Sequence, residues 1–182
     1  GVGSGTDAIF LSLKALGIKD GDEIITPTYS FYATAGAIAT AGAKPIFVDV
    51  KDDLNIDEDK IEKKITKKTK CICVTHFLGR PTDLYKINRI ARKNNLKVVE
   101  DTALSLGSKI GKKFAGTFGD AGAFSFHPVK IITTGEGGAI ILKNKKDFLL
   151  IKSMKSFGYD IASPNKRKIP GSYNVNSFGL NY

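Results

Sequence analysis

Short apolar segments alternate with helix-like segments along most of this 182-residue chain. The segments that read as strands are apolar runs at 23–26, 45–49, 71–75, 97–101, 121–126 and 139–142. The segments that read as helices, from their apolar spacing or a glycine at their end, are 5–17, 30–41, 57–66, 82–94 and 147–157. This alternation predicts an α/β fold with a mainly parallel, mixed sheet sandwiched by helices. In such sheets, ligands bind beyond the carboxyl ends of the strands.

The composition is that of a globular domain, with 42% hydrophobic and 25% charged residues. It excludes a disordered tail, a collagen-like fibre and a disulfide scaffold, and no apolar run is long enough to span a membrane. Gly1 to Ser4 contain neither a start methionine nor a signal peptide, and the chain stops at Tyr182 without a helix end. We therefore expect residues 1–182 to be one domain cut at both ends, with an exposed loop at 158–177.

The basic excess consists mostly of lysine, 24 Lys against 4 Arg, and gives a net charge of +10. The densest lysine run, 60–70, contains no aromatic residue on which a base could stack. A solvated helix face is therefore the favoured interpretation, and a nucleic-acid surface is the alternative. Cys71 and Cys73 lie in a predicted strand, where two reduced, buried thiols fit a cytoplasmic protein better than a metal site does.

The first candidate site is the segment Gly3-Ser4-Gly5-Thr6-Asp7 at the start of the first helix. A helix N-terminus presents unpaired N–H groups and a positive dipole end, and Gly5 lets an anion approach the backbone. Ser4 or Thr6 adds a hydroxyl. An ordinary helix cap explains the same residues, and the sequence leaves both interpretations open.

The second candidate is the pair Glu100-Asp101 at the carboxyl end of an apolar strand. Consecutive strand residues point to opposite faces, so only one of these carboxylates can face a given site. That carboxylate could hold a cationic group, or Asp101 could simply cap the next turn.

The third candidate is Lys130, which lies between Val129 and Ile131 shortly before Gly135-Glu136-Gly137-Gly138. Dry surroundings favour the neutral, nucleophilic amine, which condenses with aldehydes. The alternative is a lysine that extends out of a turn into water. Together the three candidates suit a ligand with a phosphate, a ring nitrogen and an aldehyde, and pyridoxal phosphate (PLP) has all three.

Several motifs occur in an order that resembles the DegT/StrS family of PLP-dependent sugar aminotransferases, which have the fold-type-I architecture. The matching segments are 4–8, 21–27, 42–50, 99–103, 119–130 and 133–138. The resemblance implies a PLP-binding large domain, with a smaller C-terminal domain outside this chain, and a fragment that is inactive alone.

The resemblance also implies catalytic roles. Lys130 matches the lysine that holds the cofactor's aldehyde, and Asp101 matches the aspartate at the pyridine nitrogen. Phe31 matches an aromatic that stacks on one face of the ring, and Ala103 matches the residue on the other face.

The remaining implied contacts are to the phosphate. Thr6, Asp7 and Ser125 match phosphate contacts, to which we add the backbone at Gly5. Asn181 matches an asparagine that reaches the phosphate of the partner subunit, which implies a homodimer with shared active sites.

Some positions are expected to have other roles. His127 is expected to be a wall of the pocket and His76 to be structural. Leu104 departs from the family, which usually has a glutamine there that contacts the ring oxygen of the cofactor.

The function implied is transfer of an amino group from an amino acid such as glutamate to a nucleotide-linked keto-sugar, in the cytoplasm. No metal, nucleic acid or membrane is expected as a partner. A different PLP enzyme, or a regulatory protein that kept the fold, is the alternative, and Leu104 is the feature that favours the latter.

Overall fold

The computed structural model describes residues 1–159, 174–175 and 177–182. The strands in this part are β1 (Glu23–Pro27), β2 (Lys44–Val48), β3 (Thr69–Thr75), β4 (Lys97–Asp101), β5 (Lys109–Ile110), β6 (Lys113–Phe114), β7 (Ala121–Ser125) and β8 (Gly138–Leu142). The α-helices are α1 (Gly5–Ala15), α2 (Tyr32–Thr40), α3 (Glu58–Ile61), α4 (Leu84–Lys93) and α5 (Lys145–Met154). The predicted alternation of strands and helices is confirmed.

Six strands form one sheet in the order β2-β1-β3-β4-β7-β8. Neighbouring strands are parallel except β7 and β8, which pair antiparallel, so the sheet is mixed as predicted. The chain leaves β1 toward β2 on one side and leaves β3 toward β4 on the other. This reversal creates a crevice at the carboxyl ends of β1 and β3, the usual ligand position in open α/β sheets.

Helices cover both faces of the sheet, and β3 shows how. Cys71 and Cys73 point into a cluster formed with α1 and α2, whereas Ile72 and Val74 pack with α3 and α4. Both cysteines are free and fully buried, as expected. Burial raises the pKa of each thiol, which keeps both protonated and unreactive.

The ends of α1 follow from its sequence. Ser4 caps the helix by accepting a hydrogen bond from the Asp7 N–H at 3.1 Å. At the other end Gly17 adopts φ +84°, and the Ile18 N–H bonds to the Leu13 carbonyl at 3.1 Å. This Schellman closure needs a residue that tolerates positive φ, which explains the glycine stop.

Three features differ from the sequence-based prediction or lie beyond it. The helix expected over 57–66 is α-helical only in α3 and continues as a 3₁₀ turn at Glu62–Lys64. The hairpin of β5 and β6 was not predicted, because two residues per strand are too few to show a periodicity. Most of the loop expected at 158–177 lies outside the described residues, since 160–173 and 176 are not described.

Candidate active site

A cavity of about 710 Å³ opens where the carboxyl ends of four parallel strands meet the start of α1. Residues at or just after the ends of β1, β3 and β4 line the cavity, together with the end of β7 and the loop between β7 and β8. The lining residues are Ser4, Gly5, Thr6, Ile9, Tyr29, Ser30, Phe31, Tyr32, Ala33, Thr34, Thr75, Phe77, Asp101, Ala103, Leu104, Ser125, His127, Val129, Lys130 and Glu136. The three candidate segments of the sequence therefore converge on one cavity.

The N-terminus of α1 forms one end of the cavity. The predicted Ser4 cap is present, and Gly5 and Thr6 also line the cavity, so the cap does not close this helix end off from the cavity. Among the described residues, no acceptor is found for the N–H groups of Gly5 and Thr6. A Cβ at Gly5 would lie 2.7 Å from the Ser125 Cβ, so glycine is what allows α1 to approach β7 this closely.

Asp101 is the carboxylate that faces the cavity, and it is only 5% exposed. Its Oδ2 accepts a hydrogen bond from the Thr34 hydroxyl at 2.7 Å. Its Oδ1 accepts one from the Ala103 N–H at 3.1 Å, so Asp101 also caps the following turn. Both oxygens are therefore held by a donor, which fixes the orientation of the carboxylate.

Glu100 points away from the cavity into the opposite side of the sheet, where it is fully buried. It accepts hydrogen bonds from His76 Nε2 at 3.0 Å and from the N–H groups of Gly116, Phe118 and Gly119 at 2.5–2.7 Å. Burial raises the pKa of Glu100, but the hydrogen bonds from His76 and the backbone outweigh it and lower this pKa below its usual value.

His76 is buried and forms no part of the cavity lining. The Thr82 N–H donates to His76 Nδ1 at 3.3 Å, which leaves Nε2 as the nitrogen that donates to Glu100. The position of His76 agrees with the structural role expected for it.

Lys130 extends into the cavity and is half-buried. Its Nζ lies 5.8 Å from the centroid of the Phe31 ring, which is 57% exposed. The sequence left dry surroundings and a lysine extending into water open, and in this chain the flanking residues are not dry, since Val129 is 76% and Ile131 60% exposed. These residues belong to the loop between β7 and β8, so their apolar character does not bury them in the core of this chain.

The other predicted residues divide into two groups. Ala103, Leu104 and His127 line the cavity, and His127 Nε2 lies 3.8 Å from the Glu136 carboxylate. Asp7 and Asn181 are outside the lining.

The side chain of Asp7 is occupied by the helix cap. Its carboxylate accepts the Ser4 hydroxyl at 2.8 Å. Burial and the nearby charge of Asp7 raise the pKa of Tyr182. Asn181 is exposed and forms a backbone bridge with Ser156. The phosphate contacts predicted for Asp7 and Asn181 stay predictions.

Sequence reasoning missed several lining residues with hydrogen-bonding or aromatic side chains, among them Tyr29, Ser30, Tyr32, Thr34, Thr75 and Phe77. Ser30 and Thr75 lie at or just after the carboxyl ends of β1 and β3, and this position was the available signal. Within the described ranges, no helix is long and apolar enough to cross a membrane, and no group of three metal-ligating side chains occurs.

The fold and site define an α/β protein in which the N-terminus of a helix, a carboxylate and a lysine surround one cavity at the switch point of the sheet. Its sequence matches the DegT/DnrJ/EryC1/StrS aminotransferase family over residues 1–182, and the chain belongs to this family.

Two curated relatives illustrate the range of the family. The chain is 47% identical over 145 residues to the GDP-perosamine synthase of Escherichia coli O157:H7, covering 79% of this chain and 40% of that protein. It is 45% identical over 143 residues to the pleiotropic regulatory protein of Geobacillus stearothermophilus, covering 78% and 38%. The chain therefore spans less than half the length of these relatives.

Solved structures share the fold. The aminotransferase from Psychrobacter cryohalolentis has a TM-score of 0.94 and 35% identity, covering 99% of this chain and 47% of that one. NtdA from Bacillus subtilis, solved with bound cofactor PMP, has a TM-score of 0.82 and 37% identity, covering 97% and 40%. These matches confirm the fold-type-I architecture that the resemblance implied.

Proposed function

We propose that the protein is a PLP-dependent aminotransferase that transfers an amino group from an amino acid, with glutamate as the expected donor, to a nucleotide-linked keto-sugar in amino-sugar or polysaccharide biosynthesis. The observation that carries the proposal is the convergence of Lys130, Asp101 and the start of α1 on one cavity. Membership of an aminotransferase family and the likeness to a GDP-sugar enzyme support the reaction and the substrate class.

The residues of the cavity fit PLP group by group. The N–H groups of Gly5 and Thr6 and the hydroxyl of Ser125 are suitable phosphate donors. Asp101 offers a fixed carboxylate for a protonated ring nitrogen, and Lys130 offers an amine for the aldehyde. The donor set thus matches a phosphate, a cationic ring and a carbonyl in one ligand.

Bound there, PLP supplies an aldehyde that exchanges amino groups and a protonated ring that withdraws electrons. Lys130 would hold the cofactor through its aldehyde group, and its amine would move a proton to and from the substrate carbon. Asp101 would keep the ring nitrogen protonated. Phe31 and Ala103 would contact the ring.

The proposal extends to partners. Asn181 lies outside the cavity of its own chain and is exposed, which suits the contact expected with the phosphate site of a second subunit in a homodimer. The two buried, unpaired thiols of Cys71 and Cys73 suit the reducing cytoplasm as the location. A second, smaller domain elsewhere in the full-length protein stays a prediction.

A regulatory protein that retains the fold is the second candidate. It is favoured by the 45% identity to a protein named for pleiotropic regulation and by Leu104, an apolar lining residue where the family usually has glutamine. Such a protein could bind PLP without turning over an amino donor.

The test uses the full-length protein incubated with PLP, reduced with borohydride and mapped by peptide mass spectrometry. We expect the label on Lys130, and conversion of the cofactor to its amine form when glutamate is added before reduction. A label on another lysine would overturn the assignment of Lys130. A label on Lys130 without conversion by any amino acid would favour the regulatory candidate.

A further inference from the structure

Three hydroxyl groups form a continuous row that ends at Asp101. Thr75 Oγ1 lies 3.0 Å from Ser30 Oγ, which lies 2.9 Å from Thr34 Oγ1. Thr34 Oγ1 in turn lies 2.7 Å from Asp101 Oδ2. The row brings together the end of β3, the loop after β1, the first turn of α2 and the end of β4.

The direction of every hydrogen bond in the row follows from its last member. An ionised carboxylate only accepts, so the single proton of Thr34 is directed at Asp101. Thr34 must then accept from Ser30, and Ser30, whose proton is thereby used, must accept from Thr75. All three hydroxyls thus point their protons toward the carboxylate, and each bond polarises the next.

The two threonines of the row are buried. Thr34 is 1% and Thr75 5% exposed, while Ser30 is half-buried. Water therefore cannot easily replace a missing hydroxyl at Thr34, and the loss of that donor would leave Asp101 Oδ2 without a partner from the row.

We propose that Thr34, Ser30 and Thr75 are positioning residues that hold Asp101 in the orientation needed to accept the ring N–H of PLP. The inference rests on the proposed function and deepens it, because it assigns a supporting network to its central carboxylate. Thr34 acts directly on Asp101, and the other two act through Thr34.

Thr34, Ser30 and Thr75 lie one, two and three hydrogen bonds from Asp101, so we expect the effect of their substitution on kcat to decrease in that order. In the full-length protein, Thr34→Val removes the donor at nearly constant volume, and kcat should fall about ten- to a hundredfold with little change in KM. Ser30→Ala should cost less, and Thr75→Val least, because each lies one bond further from Asp101. Thr34→Ser keeps the hydroxyl and should restore most of the activity. Thr40→Val, on the exposed end of the same helix, is the matched control.

A second measurement separates positioning from a general loss of fold. With PLP labelled with ¹⁵N in the ring, the nitrogen resonance of the Thr34→Val holoenzyme should move toward the unprotonated value at neutral pH, while Thr34→Ser and Thr40→Val match the wild type. A resonance and a kcat in Thr34→Val equal to those of the wild type would overturn the inference. If the wild type itself fails to label at Lys130 on borohydride reduction, the proposed function fails instead.

Discussion

Glu100 and Asp101 are consecutive on β4, yet their carboxylates point to opposite sides of the sheet. Glu100 accepts hydrogen bonds from His76 and three backbone N–H groups on the side of the sheet covered by α4, while Asp101 faces the cavity at the carboxyl ends of the strands. The backbone N–H of His76 also donates to the Asp101 carbonyl at 3.1 Å. The buried network of Glu100 thus fixes the strand end that presents Asp101.

Asp101→Asn should separate cofactor binding from turnover. The amide lacks the negative charge that keeps a ring nitrogen protonated, whereas the proposed phosphate donors of α1 are unaffected. We expect the full-length variant to bind PLP and to lose about a hundredfold or more in kcat, measured by glutamate-dependent half-reaction in a stopped-flow spectrometer.

The control for that experiment is Asp120→Asn. Asp120 accepts a hydrogen bond from the Val98 N–H at 2.9 Å at the far end of β4 and β7, away from the cavity. Its turnover should match the wild type. Wild-type turnover in Asp101→Asn would assign the ring contact to another residue.

Glu100→Gln should destabilise the fold and change its pH dependence. The NH₂ group of glutamine cannot accept the hydrogen bonds that His76 and the backbone N–H groups donate to the Glu100 carboxylate. We therefore expect the free energy of unfolding, measured by urea titration at pH 7, to fall by about 3 kcal/mol. Because folding lowers the pKa of Glu100, its stabilisation is present above the unfolded pKa of 4.5 and is lost as the pH falls through the folded value.

The variant has no carboxylate at this position, so its stability should fall less steeply than that of the wild type between pH 5 and 3, about the pKa range of a carboxyl group. Glu62→Gln is the control, because Glu62 is an exposed partner of Lys93 and its loss should change stability little. Equal slopes for Glu100→Gln and wild type in this range would contradict the role assigned to the buried carboxylate.

Leu104→Gln should alter the electronic environment of bound PLP. Leu104 lines the cavity and directly follows Ala103, whose N–H donates to Asp101, and glutamine at position 104 adds a donor for the ring oxygen. We expect the pH midpoint of the cofactor's absorption change to shift by about one unit, the equivalent of one ordinary hydrogen bond. Leu104→Met, which keeps the volume without a donor, should leave the spectrum unchanged. The same spectrum in Leu104→Gln at every pH would mean that position 104 does not reach the ring.

The sheet and its helices could be predicted from sequence because each element carries a local signal. The apolar runs of β3 and β4 and the Ser4 and Gly17 boundaries of α1 depend on neighbouring residues alone. The length of α3 could not be predicted, because its periodic pattern continues while the chain tightens into a 3₁₀ turn before β3.

The site was predictable only in part. Strand alternation required that Glu100 and Asp101 face opposite sides, but it could not tell which one meets the cavity. The sequence could not decide between dry and solvent-exposed surroundings for Lys130, because an apolar sequence in a loop carries no information on what covers it. The hydrogen-bonded row from Thr75 to Asp101 could not be predicted from sequence, because two of its bonds join residues 45 and 67 positions apart. Its third bond joins residues four positions apart.

Two glycine-to-alanine substitutions in helices should have opposite effects on stability. At Gly36, in α2, a Cβ meets no atom within 4 Å, so Gly36→Ala should stabilise the protein by about 0.5–1 kcal/mol through helix propensity. At Gly5, the added Cβ would lie 2.7 Å from the Ser125 Cβ, which forces α1 away from β7 and should cost about 1–3 kcal/mol in stability.

Gly5→Ala should also weaken PLP binding, because Gly5 and Ser125 both belong to the proposed phosphate site. We expect a loss of about tenfold in affinity, the equivalent of one neutral hydrogen bond, in fluorescence titrations. Gly36→Ala should bind PLP normally. Gly5→Ala with wild-type affinity for PLP would place the phosphate elsewhere, even if the variant is less stable.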